Sequence, residues 1–342
     1  PPPPPPFFFH AQAGIPDPLW ARGLGDVYKR QAESSIIFSD ELRFGLGSCI
    51  HQDEPQPIWS AVKKDNLDGF IFLGDNVYGD SPSLKLNKMA RAYKKQKNNF
   101  PAWLMEKDIL AIWDDHDYGK NDGGSEYNLK KEAQELFLEF WDIPADDIRQ
   151  SREGIYFDVI KSLDDMKIHI IGLDTRYFRS ELKGSKSSYK DNTDNDATVL
   201  GKSQWKWLTS SLEKDSDLVI LLTSIQLLAT EHRFEKWSNF SLERKRLIDL
   251  IESSNKQVIV ISGDRHRGGI YQYNNIYEIT SSSMNKPVKG AETDALLIGK
   301  THYEENYGII SINTDSSQIQ LDLKDKKGSM LESVAIPFLG IQ

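Results

Sequence analysis

The chain has 342 residues, with 42 Lys and Arg against 51 Asp and Glu, a formal net charge of -9 and a pI near 5.4. That balance speaks against duplex nucleic acid as the main partner, because a phosphate backbone rewards basic surfaces. The single cysteine, Cys49, excludes an intrachain disulfide, and no apolar run approaches the roughly 20 residues that span a bilayer. Hydrophobic residues make up 39 % of the chain, enough for a sizeable core.

Pro1 to Pro6 followed by Phe7-Phe8-Phe9 is low-complexity sequence, with no basic n-region and no readable signal peptide. Leu24 to Gln31 resembles translated adapter read-through from metagenomic gene models. The expectation is a non-native or disordered segment over 1–31 and one domain over 32–342. Ile36-Ile37-Phe38 and Arg43 to Gly47 read as strands, the second ending in Ser48-Cys49. Pro57 to Val62 opens a helix, with Pro near its first turn. Gly69 to Leu73 is an apolar strand. Residues 84–97 are Lys-rich, with Leu84, Met89, Ala92 and Tyr93 at helical spacing. Leu129, Ala133, Leu136, Phe137 and Phe140 form a second helical stripe.

Ile155 to Val159 and Lys167 to Leu173 read as neighbouring strands around a turn at Leu163-Asp164-Asp165. Residues 183–198, rich in Ser, Lys, Asp and Asn, read as a mobile loop. Gln204 to Leu208 starts a helix. Leu218 to Thr223 and Gln257 to Ile261 are strands, with a helix over Leu242 to Ser253 between them. Tyr277 to Thr280, Ile309 to Ile312 and the alternating Gln318 to Leu323 are late strands. Strands alternate with helices and then cluster, which predicts an α/β fold built as a layered β-sandwich flanked by α-helices.

Four apolar runs end in acids: at Asp75, at Asp114-Asp115-His116-Asp117, at Asp174-Thr175-Arg176 and at Asp264-Arg265-His266. One Asp after a strand is weak evidence, because Asp also caps helices and makes turns. Four together predict one metal-binding rim, since hard cations need several oxygen ligands and imidazole suits transition metals. Arg176 offers a fork for phosphate, or alternatively a buried pair with Asp174. His169 lies mid-strand and reads as structural. His51, His232 and His302 are left open as pocket-lining residues.

Taken in order, these residues resemble the PhoD-like alkaline phosphatases, a branch of the calcineurin-like metallophosphoesterases. The resemblance rests on Gly47-Ser48-Cys49, Gly74-Asp75-Asn76-Val77-Tyr78, Trp113-Asp114-Asp115-His116-Asp117 with Asn121, Leu173 to Arg179, Leu200 to Trp205, and Ser262-Gly263-Asp264-Arg265-His266. It implies a metallophosphoesterase-type sandwich. It implies metal ligation by Cys49, Asp75, Tyr78, Asp114, Asn121, Asp264 and His266, with Asp75 bridging. It also implies Fe³⁺ and Ca²⁺ as cofactors and export to the periplasm or beyond.

Phenol and thiol, with pKa values of about 10 and about 8.5, ligate at neutral pH only against a strong Lewis acid, which suits Fe³⁺. Asp114 and Asn121 suit Ca²⁺; Mn²⁺ or Zn²⁺ fits the residues equally. The expected reaction is hydrolysis of phosphomonoesters, phosphodiesters or both by hydroxide generated at the metals. The catalytic residues would be Asp75, His116, which either donates a hydrogen bond or orients a ligand, and Arg176. A small phosphorylated molecule is the expected substrate. The alternative is a secreted binding protein whose metal rim is structural. A Ser-His-Asp hydrolase fails, because no Gly-x-Ser-x-Gly elbow is present.

Overall fold

The computed structural model describes residues 40–80, 85–186 and 188–339. The expectations for 1–31, for a strand at Ile36 to Phe38 and for Leu84 lie outside them. In chain order the elements are β1 (Glu41–Gly47), α1 (Trp59–Val62), β2 (Gly69–Leu73), α2 (Asn87–Asn99), β3 (Asp108–Ile112), α3 (Asp115–Tyr118) and α4 (Lys130–Phe140). Then come β4 (Phe157–Leu163), β5 (Met166–Gly172), β6 (Lys183–Ser185), β7 (Ser188–Lys190), α5 (Gly201–Leu212), β8 (Leu218–Leu222) and α6 (Ser241–Ser253). The last strands are β9 (Gln257–Ser262), β10 (Gly268–Tyr273), β11 (Ile276–Thr280), β12 (Leu297–His302), β13 (Asn306–Asn313), β14 (Gln318–Asp325) and β15 (Met330–Pro337).

Two large mixed sheets result, one ordered β15-β14-β13-β1-β2-β3 and the other β12-β10-β11-β9-β8-β5-β4. The period-2 geometry of strands sorts the second sheet's side chains. Ile168, Ile170, Leu218, Ile220, Ile259 and Ile261 join the core shared with Phe44, Leu46, Ile71 and Phe72 of the first sheet. Their neighbours Ile171, Val219, Leu221, Val258 and Val260 pack instead with Leu208 and Leu212 of α5 and Leu247 and Ile251 of α6. The architecture is therefore the layered sandwich with flanking helices.

Strand direction positions the site. β1, β2 and β3 run parallel in one sheet, and β5, β8, β9 and β11 run parallel in the other. Their C-terminal ends are sewn together by Met284 N–H donating to Ser48 C=O at 3.0 Å, Ser48 Oγ to Ser281 C=O at 2.9 Å and Ser281 Oγ to Leu46 C=O at 2.9 Å. β4 and β5 are the hairpin predicted around Asp164, although β4 begins two residues later than expected, at Phe157.

Five strands went unread: β6, β7, β10, β12 and β15. β12 and β15 are sheet edges, where exposed positions interrupt any long apolar run. The polar stretch 183–198 is not a loop throughout. β6 and β7 pair as a hairpin, anchored by Tyr189 N–H to Arg233 C=O at 3.0 Å and Asn192 N–H to Asn239 C=O at 2.7 Å.

Candidate metal centre

Four of the strand-end residues, Cys49, Asp75, Asp264 and His266, have positive φ, at 54°, 51°, 61° and 54°. That region is sparsely used by non-glycine residues and clusters at functional sites. Gly74 also has positive φ, and a Cβ there would come within 2.5 Å of Asp114 Cβ, so β2 can meet β3 closely only through glycine. At Gly263 a Cβ would lie 2.8 Å from both Leu73 O and Ser48 Cβ, so the ends of β1, β2 and β9 converge there.

Ligand atoms of Cys49, Asp75 and His266 all lie within 4.8 Å of one another, and so do those of Asp75, Asp115 and His116. Asp75 belongs to both groups. Its Oδ2 lies 3.5 Å from Cys49 Sγ and accepts from Tyr78 Oη at 3.2 Å. Burial, reinforced by the charges of Asp115, Asp114, Asp117 and Asp264, pushes the Asp75 carboxyl far above the usual range. Burial also raises the Cys49 thiol and the Tyr78 phenol. Asp264 is raised to about 7, again mainly by burial, and its carboxylate has no hydrogen-bond partner among the described residues.

His266 Nδ1 faces the Lys286 carbonyl, which can only accept, so Nδ1 carries the proton and Nε2 keeps its lone pair. Burial lowers its pKa to about 4, which keeps the ring neutral. His116 is the opposite case. Burial opposes its charge, but Asp115 and the 2.7 Å bond from Nδ1 to Asp80 lift it to about 9.

Asp114 departs from expectation. Its Oδ1 accepts from Arg176 Nε at 2.7 Å and from the Ser224 hydroxyl, while Oδ2 is buried without a partner. It is Asp115, not assigned from sequence, that joins Asp75 and His116. Asp115 is held well below the usual carboxylate range by His116, Arg176 and the Asp122 N–H, against the opposing effect of burial.

Arg176 is corrected as well. It is fully buried, with its guanidinium on Asp114 at 2.5 Å and Glu235 at 2.6 Å, so neither edge is open to a phosphate. Asp174 is no rim ligand: it accepts from Trp113 Nε1, Ile155 N, Arg176 N and Tyr177 N, each at 2.9 Å. Asn121 sits in an adjoining open groove of about 400 Å³ with Lys120, Lys186 and Tyr189, its amide held by Asp122 and Lys186.

Other residues were missed. Asp117 accepts from Asp75 N at 3.2 Å, Asn76 N at 3.2 Å and Asp114 N at 2.6 Å, and so fixes two strand ends at once. Ser282, just past β11, lies 3.0 Å from Cys49 Sγ. Of the histidines left open, His51 stacks on Tyr78 with ring centres 4.7 Å apart, whereas His302 pairs with Glu332 at 3.6 Å. His169 is structural, bonded to Asp158 at 2.7 Å.

A two-sheet sandwich with acids, a thiol and imidazoles gathered at the ends of its parallel strands defines a metallophosphoesterase-type protein. The sequence matches the family model for PhoD-like phosphatase over residues 44–328, and the chain belongs to that family. Among solved structures it is similar to PhoD, with a TM-score of 0.65 and 16 % identity over 89 % of this chain and 73 % of that one. It is also similar to GAP50, described as the anchor in the inner membrane complex of Plasmodium, with a TM-score of 0.57 and 13 % identity over 88 % of this chain and 90 % of that one. No curated protein sequence matches. The family supports phosphate-ester hydrolysis, and no described helix is long and apolar enough to cross a membrane.

Proposed function

We propose that this protein is a metal-dependent phosphoesterase whose cations are held in two adjoining groups that share Asp75. The observation that carries the reading is the crowding of buried acids around Asp75, with Asp114 Oδ2 and Asp115 Oδ1 left unpartnered. Buried carboxylates so placed need either protons or cations. The residues present fit cations. Cys49, Tyr78, His266 and Asp264 with Asp75 form a thiolate, phenolate and imidazole set suited to Fe³⁺. Asp75 and Asp115, with the free oxygen of Asp114, form an oxygen set suited to Ca²⁺.

Bound cations would supply Lewis acidity at the phosphoryl oxygens and a nucleophile from water at neutral pH. The chain's own residues do the rest. His116, steered by Asp80, holds a proton on the Asp115 side of the cluster and delivers it to the leaving-group oxygen. Asp117 fixes the backbone from which Asp75 and Asp114 project. Arg176 is a positioning residue that holds Asp114 in place and partly offsets the upward push of burial on its carboxyl. The groove beside Asp122 gives room for a second ester substituent, which favours acceptance of diesters as well as monoesters. Export belongs to the same proposal and rests on the family resemblance.

The test is Asp75→Asn. Metal content and hydrolysis of a chromogenic phosphate ester are expected to fall together to background. Full activity in that variant would overturn the site. The alternative, a non-catalytic role of the kind the Plasmodium anchor's description suggests, predicts bound metal with no turnover in the wild type.

A further inference from the structure

A second polar cluster gathers around Arg265, where the loop after β8 brings His232 and Lys236 close and the segment leading into β12 brings Glu292. Lys236 is 4 % exposed, yet its ammonium contacts only the Phe234 carbonyl, at 3.2 Å, and forms no ion pair among the described residues. His232 Nδ1 accepts from Phe234 N–H at 3.2 Å, which places the ring proton on Nε2; that atom is buried and unpartnered. Arg265 is 5 % exposed and stacks over Phe234 at 4.5 Å, and its Nε is also buried without an acceptor.

The nearby acids do not meet this need. Glu292 is shared between Arg265 at 2.5 Å and Arg267 at 3.5 Å. The Asp294 carboxylate already takes the N–H groups of Thr230, Glu231 and Leu296. Lys236, His232 and Arg265 are thus electrostatic neighbours that carry unpaired charge or unpaired donors, and both are costly when buried. Burial and Arg265 lower Lys236 to about 8, the direction a cation takes when it has no counter-ion.

We infer that Lys236, His232 and Arg265 form a binding site for a small oxyanion, either free phosphate or a second phosphoryl group of a substrate. A tetrahedral oxyanion has acceptors for all three groups at once and supplies the missing charge. The inference does not rest on hydrolysis, since the site contains none of the residues assigned to the metal centre.

The experiment uses the full chain, stripped of metal by a chelator that is then removed, so that an anion has no cation to bind. Inorganic phosphate is titrated at fixed ionic strength in chloride, followed by calorimetry and by the rise in melting temperature. Lys236→Met is expected to weaken phosphate binding about tenfold or more, and Glu292→Gln, which removes an acid, to tighten it. These opposite signs separate the site from a general loss of folding. The His232 Nε2–H resonance should shift on titration in the wild type.

With metal restored, a KM that rises in Lys236→Met only for an ester bearing two phosphoryl groups would identify a substrate phosphoryl group as the ligand. Unchanged KM values for single- and double-phosphoryl esters, with phosphate binding lost, would identify free phosphate. Absence of phosphate binding in the folded, metal-free wild type, or equal binding in both variants, would overturn the inference.

Discussion

Asp117 touches no expected ligand atom with a free side chain, yet three backbone N–H groups around the cluster converge on it. Asp117→Asn replaces an acceptor with a donor on one side and should loosen Asp75 and Asp114 together. The expected result is a loss of about 10–100-fold in metal affinity, the range for residues that orient ligands; unchanged affinity in a metal titration would contradict it. Arg176 makes a sharper case, because removing it leaves Asp114 buried without its counter-ion and Glu235 with Arg179 alone. Arg176→Met should cost about 3–5 kcal/mol in a denaturant titration. Arg176→Lys should recover little of this, since an ammonium cannot reproduce the fork that meets both acids.

The strand ends were legible because an apolar run that stops at Gly-Asp or Asp-Asp-His carries its own boundary. Asp75, His266 and Cys49, read that way or through the family resemblance, are brought together by the fold. What could not be read was which of two adjacent acids turns inward. α3 begins at Asp115, and the Asp117 carboxylate pins the preceding residue. Thus Asp114 goes to Arg176 and Asp115 to the cluster, a choice set by contacts 62 residues apart in sequence. Glu235 sits in a loop without a pattern, and the serines after β11 carry no signal until the parallel register with β9 places them at the rim. The hairpin β6–β7 was hidden by its polar composition, since its anchors are backbone bonds to Arg233 and Asn239. Where β2 meets β3 the element depends on one glycine. Gly74→Ala should destabilise the fold by about 1–3 kcal/mol through strain at positive φ, with more from the clash with Asp114; a melting curve unchanged from wild type would contradict this.

The two sheets meet at their parallel ends through the Ser48, Ser281 and Met284 bonds, so charge in the cluster acts on both sheets. In metal-free protein Asp117 and Asp264 are raised to about 7, chiefly by burial. Their unfolded-state values are near 3.9, so between about pH 4 and about pH 7 the folded state binds more protons than the unfolded one. The stability they contribute is full below that range and is lost as pH rises through about 7. The chelator-treated protein should therefore melt at lower temperature at about pH 8 than at about pH 5, and added metal should restore stability at the higher pH. A melting temperature that is flat or rises across that interval would contradict the crowded-acid picture.

The most direct test of the central claim is a paired rate on the full chain loaded with iron and Ca²⁺. A chromogenic phosphomonoester and the matching diester are assayed with and without chelator, and bound metal is counted in the same samples. Hydrolysis of both esters should disappear on chelation and return with metal. Bound metal without turnover of either ester, or a rate indifferent to chelation, would contradict the claim.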